Sequence, residues 1–231
     1  MLMDRTDLKF NFHISQLPQL LDAVKDHYRS LEVAGTRMSR YETLYYDTPD
    51  YNLFFNHHNG HMNRYKIRLR RYVESDMNFF EVKFKNNKGR TIKTRVPTTN
   101  LDQRISGTSE QLLTDTTGID PSHMEAKLWV NYNRITLVNK FDEERITIDI
   151  DLEVKNGGDR VGFDGLVIVE AKQERPHETP FLKTLHDMRI REGGTSKYCI
   201  AVSKLVPGIK KNNFKPDLIT IQKIIDDTHP A

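Results

Sequence analysis

Residues 64–70 read Arg64-Tyr65-Lys66-Ile67-Arg68-Leu69-Arg70, and residues 80–85 read Phe80-Glu81-Val82-Lys83-Phe84-Lys85. Side chains of a β-strand alternate between its two faces. The first stretch thus sets Arg64, Lys66, Arg68 and Arg70 on one face and Tyr65, Ile67 and Leu69 on the other. The second sets Glu81, Lys83 and Lys85 against Phe80, Val82 and Phe84. A third repeats the pattern, with Thr91, Lys93 and Arg95 opposite Ile92 and Val96. From Arg64 to Arg95, eleven lysines and arginines stand among only three carboxylates. A solvated face ordinarily mixes signs, because like charges side by side repel. Concentrated positive charge implies an anionic ligand, and strand-spaced cations suit a run of phosphates.

The whole chain of 231 residues carries a formal net charge of only +3, so the rest of it is acidic. That balance argues against a general nucleic-acid coat and for a local anion site. Cys199 is the only cysteine, which excludes an internal disulfide framework and a multi-cysteine zinc site and fits a reducing compartment. Met1 to Phe10 lacks a signal-type apolar stretch, and no run of 18 apolar residues occurs. The expectation is a cytoplasmic protein without a membrane segment.

Outside the basic region, residues 7–12 alternate as a first strand. Ser15 is expected to cap a helix carrying Leu17, Leu20, Leu21, Val24 and Tyr28 on one face. Glu42–Asp47 reads as a strand closed by the turn Thr48-Pro49-Asp50, and Asn59-Gly60 and Lys88-Gly89 read as turns. Residues 99–122 form a connector with one short helix near Leu112. Leu128–Val138, Arg145–Leu152 and Leu166–Lys172 are strands. In the second of these, Ile146, Ile148, Ile150 and Leu152 lie opposite Arg145, Thr147, Asp149 and Asp151. Helices start at Thr179-Pro180, near Ser196 and near Pro216. The sum is an α+β fold: a mainly antiparallel barrel with peripheral helices, charged inside and apolar outside. One domain is expected over 1–231, with a core of about 5–205 and a helical tail over 206–231.

Tyr45-Tyr46-Asp47-Thr48-Pro49-Asp50, Arg64 to Arg70 and Glu81 to Lys85 resemble the VTC domain. This is the polyphosphate polymerase domain of the vacuolar transporter chaperone complex, also found as free-standing bacterial proteins. The resemblance continues through Tyr132-x-Arg134, Arg145 to Asp149, Val169-Glu170-Ala171-Lys172 and Ser196-Lys197-Tyr198. It implies an eight-stranded triphosphate tunnel of the CYTH-like superfamily. It also implies transfer of the ATP γ-phosphoryl group to inorganic polyphosphate, assisted by Mn2+ or Mg2+.

Phosphate would be bound by Lys9, Lys66, Arg68, Arg70, Lys83, Lys85, Lys93, Arg95, Arg134, Arg145, Lys172, Ser196 and Lys197. Lys66, Arg68, Arg70, Lys83 and Glu170 would act on the reacting groups. Arg68 and Arg70 sit about 7 Å apart along one strand and can each grip two oxygens. Glu170, in an apolar strand, is the metal candidate, with Asp149 and Asp151 as helpers. An ion pair to Lys172 is the alternative for Glu170, and a plain helix cap the alternative for Ser196. CYTH hydrolases open with Glu-x-Glu-x-Lys, whereas this chain has Arg5-Thr6-Asp7-Leu8-Lys9. That difference favours the polymerase branch over a triphosphatase of the same fold.

A non-catalytic binder of polyphosphate or nucleic acid is the other rival. Tyr65, Phe80 and Phe84 alternate away from the cations, which disfavours base stacking. His57, His58 and His61 raise a zinc reading, weakened by the lack of a nearby fourth ligand.

Overall fold

The computed structural model describes residues 6–99, 103–194 and 196–227. Arg5 lies outside the described residues. The strands are β1 (Thr6–His13), β2 (Tyr28–Ser30), β3 (Met38–Asp47), β4 (Arg64–Tyr72), β5 (Met77–Lys85), β6 (Thr91–Pro97), β7 (Glu125–Asn139), β8 (Glu144–Asn156), β9 (Asp159–Gly162) and β10 (Leu166–Gln173). The helices are α1 (Leu17–Val24), α2 (Asn52–His58), α3 (Thr108–Thr117), α4 (Pro180–Asp187), α5 (Lys197–Leu205) and α6 (Lys215–Asp226).

Eight strands form one antiparallel path, β1-β10-β8-β7-β3-β4-β5-β6, with β2 on β7 and β9 on β8. The path curls strongly. β10 and β5 are five places apart, about 24 Å in a flat sheet, yet Lys83 on β5 and Glu170 on β10 perturb each other's ionisation. The tunnel-like α+β fold is as expected, but its sheet is not closed: β1 and β6 do not pair among the described residues. The free edge of β1 is taken by another segment. Phe10 bridges to Glu192, and the Gly193 N–H donates to the Lys9 carbonyl at 2.9 Å. β6 stays an edge strand, guarded by exposed Lys93 and Arg95 and ended by Pro97.

The convex face follows the alternation. Phe10, Phe12, Ile146, Ile148, Val167 and Val169 bury against α1 and α4. Leu44, Ile67, Leu69, Phe80 and Val82 bury with Leu53 of α2 and Leu113 of α3. A third core lies on the concave face at one end. There Leu128, Val130, Leu152, Val154 and Ile168 pack against Tyr198, Cys199 and Val202 of α5.

Several local expectations are corrected. Ser15 sits inside a 3-10 turn, where its N–H donates to the His13 ring, and α1 starts two residues later. Tyr28 lies on β2, and its hydroxyl donates to buried Glu144. Asn59-Gly60 ends a helix absent from the sequence reading, α2, rather than turning a hairpin. The alternation of β8 breaks at Asp151, whose φ of 54° accompanies a register shift against Asn131–Asn133 of β7. Beyond this bulge Leu152 moves onto the concave face instead of following Ile148.

Candidate functional site

Register builds transverse rows on the concave face. Lys66, Lys83 and Lys93 are direct partners across β4, β5 and β6. The next row is Tyr45, Arg68, Glu81 and Arg95. Like charges directly opposite destabilise a sheet, so the lysine row is costly without a ligand.

Glu81 compensates in part. It is fully buried, and its Oε2 accepts from both Nε (2.7 Å) and one terminal nitrogen of Arg68. Its Oε1 accepts from Lys93 at 3.1 Å. Burial would raise the Glu81 carboxyl, but Arg68, Arg70 and Lys93 hold it far below the carboxylate range. Arg68 also donates to the Tyr45 hydroxyl at 3.4 Å, and Arg70 to Thr43 at 3.3 Å. Both arginines are thereby held rigid and buried. Arg68, burial and Arg70 push the Lys83 ammonium down to about 6, against Glu170 and Glu81. Burial, helped by Lys9 and Arg68, lowers Lys66.

The opposite wall holds two charge clusters. Buried Asp149 accepts from Arg134 at 2.5 and 2.7 Å and from Lys197 at 2.6 Å. Glu170 accepts from Lys172 at 2.7 Å, and Lys172 also pairs with Asp7 at 3.1 Å. Burial would raise Glu170, yet Lys172, Lys9 and Lys83 keep it well below the usual range. Lys9 is pinned by close packing, since a Cβ on Gly194 would lie 2.3 Å from the Lys9 Cβ.

α5 floors the chamber. Ser196 caps it, accepting from the Cys199 N–H at 3.4 Å, and Lys197 reaches up to Asp149. The Tyr198 hydroxyl donates to Asp47 at 2.5 Å, and Asp47 also accepts from the first N–H groups of α2.

The structure therefore gathers Lys9, Lys66, Arg68, Arg70, Lys83, Lys93, Arg134, Asp149, Glu170, Lys172 and Lys197 around one space. Lys85 lies toward α2, where it acts on His57. Arg145 is exposed at the rim, opposite Lys172. Asp151 stays apart: it is exposed on the bulge and accepts from Asn133 at 2.7 Å. No group of three or more His, Cys, Asp or Glu suited to a metal occurs among the described residues. His57, His58 and His61 do not converge; His58 bonds Asn59 and His61 bonds Asn56. The carboxylates of the chamber are all ion-paired, so the donor set fits a cation brought with phosphate oxygens, not an all-protein cage.

The sequence reading singled out Tyr132 but not Tyr41, Tyr72 and Phe79, the rings that form an arc with it. Tyr132, Tyr41, Tyr72 and Phe79 contact one another in sequence across β7, β3, β4 and β5 on the cationic face. Their parity with Arg134, Arg70 and Glu81 was the available signal.

No curated protein matches the chain. Three solved structures share its fold at low identity. A protein from Hippeastrum, provisionally assigned as an adenylyl cyclase and described as having a dominant triphosphatase activity, is 15% identical with a TM-score of 0.55, covering 89% of this chain and 98% of its own. A provisionally assigned adenylate cyclase from Bacillus halodurans is 12% identical with a TM-score of 0.54, covering 88% and 100%. Another from Vibrio parahaemolyticus is 15% identical with a TM-score of 0.51, covering 85% and 97%. In sequence, the VTC domain profile matches residues 4–206. With most of its length matched and the tunnel-like α+β architecture in place, the chain belongs to the VTC domain family.

Proposed function

We propose that the chain is a polyphosphate polymerase that transfers the γ-phosphoryl group of ATP to a growing phosphate chain. The observation that carries this reading is the row Lys66–Lys83–Lys93, three lysines in register with no carboxylate in the row. A phosphate chain lying across it supplies the missing negative charge. Phosphoryl transfer asks of a protein mainly position and positive charge. Arg68 and Arg70, fixed by Glu81 and Thr43, are suited to grip equatorial oxygens. Lys66 and Lys83 lie beside them as point charges. Glu170 is the carboxylate in place to hold Mn2+ or Mg2+ with phosphate oxygens; the ion, when bound, neutralises charge on those oxygens. Buried, unpaired Cys199 supports a reducing, cytoplasmic setting. Among the described residues no helix is long and apolar enough to cross a membrane.

The triphosphatase activity named for the Hippeastrum neighbour supports hydrolysis as the second reading. Incubation with ATP and manganese, followed by gel detection, separates the two. Long polyphosphate supports the polymerase. Free phosphate alone supports the hydrolase, and tight triphosphate binding without turnover leaves a binding protein.

A further inference from the structure

The aromatic arc at the chamber mouth has geometry of its own. Tyr41 is the direct strand partner of both Tyr132 and Tyr72. It stacks on Tyr132 with centroids 5.2 Å apart at 15°, and meets Tyr72 edge-on at 4.9 Å. Tyr72 in turn meets Phe79 edge-on at 5.9 Å. Flat cations lie on these rings: Arg134 is 4.8 Å from the Tyr41 centroid, and exposed Arg95 is 4.3 Å from that of Phe79.

Core packing does not account for the outer half of this arc. Tyr72 and Phe79 belong to none of the three cores, and both stay half-buried while their convex-face neighbour Phe80 is 1% exposed. Phe79 also lines a cleft of about 580 Å³ with Met77, Asn78 and Pro97. Half-buried rings with an exposed guanidinium beside them, on the cationic face, are what a heteroaromatic base meets when it stacks.

We infer that the Tyr72–Phe79–Arg95 end of the arc seats the base of a nucleoside triphosphate whose phosphates lie on the lysine row. This rests on the triphosphate reading of the chamber and adds an orientation to it. Phe79 and Lys83 of the lysine row are four residues apart on β5, about 13 Å along the strand. That leaves a stretch between cations and ring for the ribose and the first phosphate.

Calorimetry on the full chain without metal tests it, with ATP and tripolyphosphate as probes. Phe79→Leu keeps apolar volume and removes the ring; Phe79→Tyr keeps the ring. The ratio of ATP affinity to tripolyphosphate affinity is expected to fall at least about fivefold in Phe79→Leu, within the range of base–aromatic stacking. Phe79→Tyr is expected to hold the wild-type ratio, and tripolyphosphate affinity to stay within about twofold throughout, which also reports an intact fold. An unchanged ratio in Phe79→Leu, or equal loss of both ligands, overturns the assignment while leaving the chamber reading in place. Wild-type protein that binds neither ligand overturns both.

Discussion

Lys83 on β5 and Glu170 on β10 act on each other across the chamber, the ammonium helping to hold the carboxylate ionised while Arg68 and burial strip the ammonium of its own proton. With its proton lost at about 6, the empty site is only partly charged at neutral pH. A polyanion beside Lys83 reverses this. Triphosphate binding near pH 7.5 should therefore take up about one proton. Calorimetry in two buffers of different ionisation enthalpy reads it directly. Lys83→Met should flatten the buffer dependence. Wild-type binding without proton uptake would show that Lys83 does not meet the ligand.

The same residue should trade stability for binding. Unfolded, Lys83 keeps its proton to about pH 10.4. Between about 6 and that value the unfolded chain binds more protons, so this contribution to stability rises with pH, and the penalty on the fold is full below about 6. Lys83→Met should raise the melting temperature at pH 7 by at least about 2 °C, the equivalent of roughly 1 kcal/mol for a chain this long. A lowered melting temperature would reverse the sign of the argument.

Arg68→Ala should be far more damaging. It leaves Glu81, which is fully buried, without its main partner. Breaking a buried pair from one side costs about 3–5 kcal/mol. Adding Glu81→Gln should recover much of that in urea unfolding. Triphosphate affinity in the double variant should still be at least tenfold down, since one charged hydrogen bond is worth about 1.5–3 kcal/mol. Recovery of both quantities together would assign Arg68 to the scaffold alone.

Glu170→Gln should leave metal-free triphosphate binding intact or tighter, because Lys9, Lys83 and Lys172 lose a competing carboxylate. Turnover with manganese should fall at least about tenfold. Steady-state rates beside calorimetry decide it; a full-rate variant would make Glu170 an ion-pair partner only.

Acid should loosen the chamber first. In Glu81, Asp149 and Glu170 burial is outweighed by neighbouring cations, and all three lie below the usual carboxylate range. Their stabilisation is present above the unfolded values near 4 and is lost as pH falls from about 5. Asp149→Asn should reduce this acid slope, measured as urea midpoints from pH 6 to 3. An unaltered slope would remove Asp149 from the account.

The strip from Arg64 to Arg95 was readable because alternation is local: each residue's face follows from its neighbours' parity. The caps Thr179 and Ser196 were readable for the same reason. The bulge at Asp151 was not, because it answers to Asn131–Asn133 on another strand. α2 was hidden because its start is fixed by Asp47, whose carboxylate accepts from the Leu53 and Phe54 N–H groups at 2.8 Å each. The open seam depends on residues 192–194 reaching β1, a contact no local pattern announces. The aromatic arc is different. Tyr72, Phe79 and Tyr132 share the parity of the cations, but parity does not say that rings on neighbouring strands meet, which depends on the register of β7, β3, β4 and β5.

The floor made by α5 constrains traffic. Tyr198, Cys199 and Val202 fill the space under Leu152, Val154 and Ile168, so the chamber is a cul-de-sac at that end. A linear phosphate chain pushed toward that end would meet packed side chains instead of open space. Whatever enters past Tyr72 head first must back out tail first. A polymer extended here would keep its reacting terminus at the depth of Lys83 while the older units trail outward beyond the arc. Incoming nucleotide and departing product would then queue for the same doorway, and a long product would obstruct its own next addition.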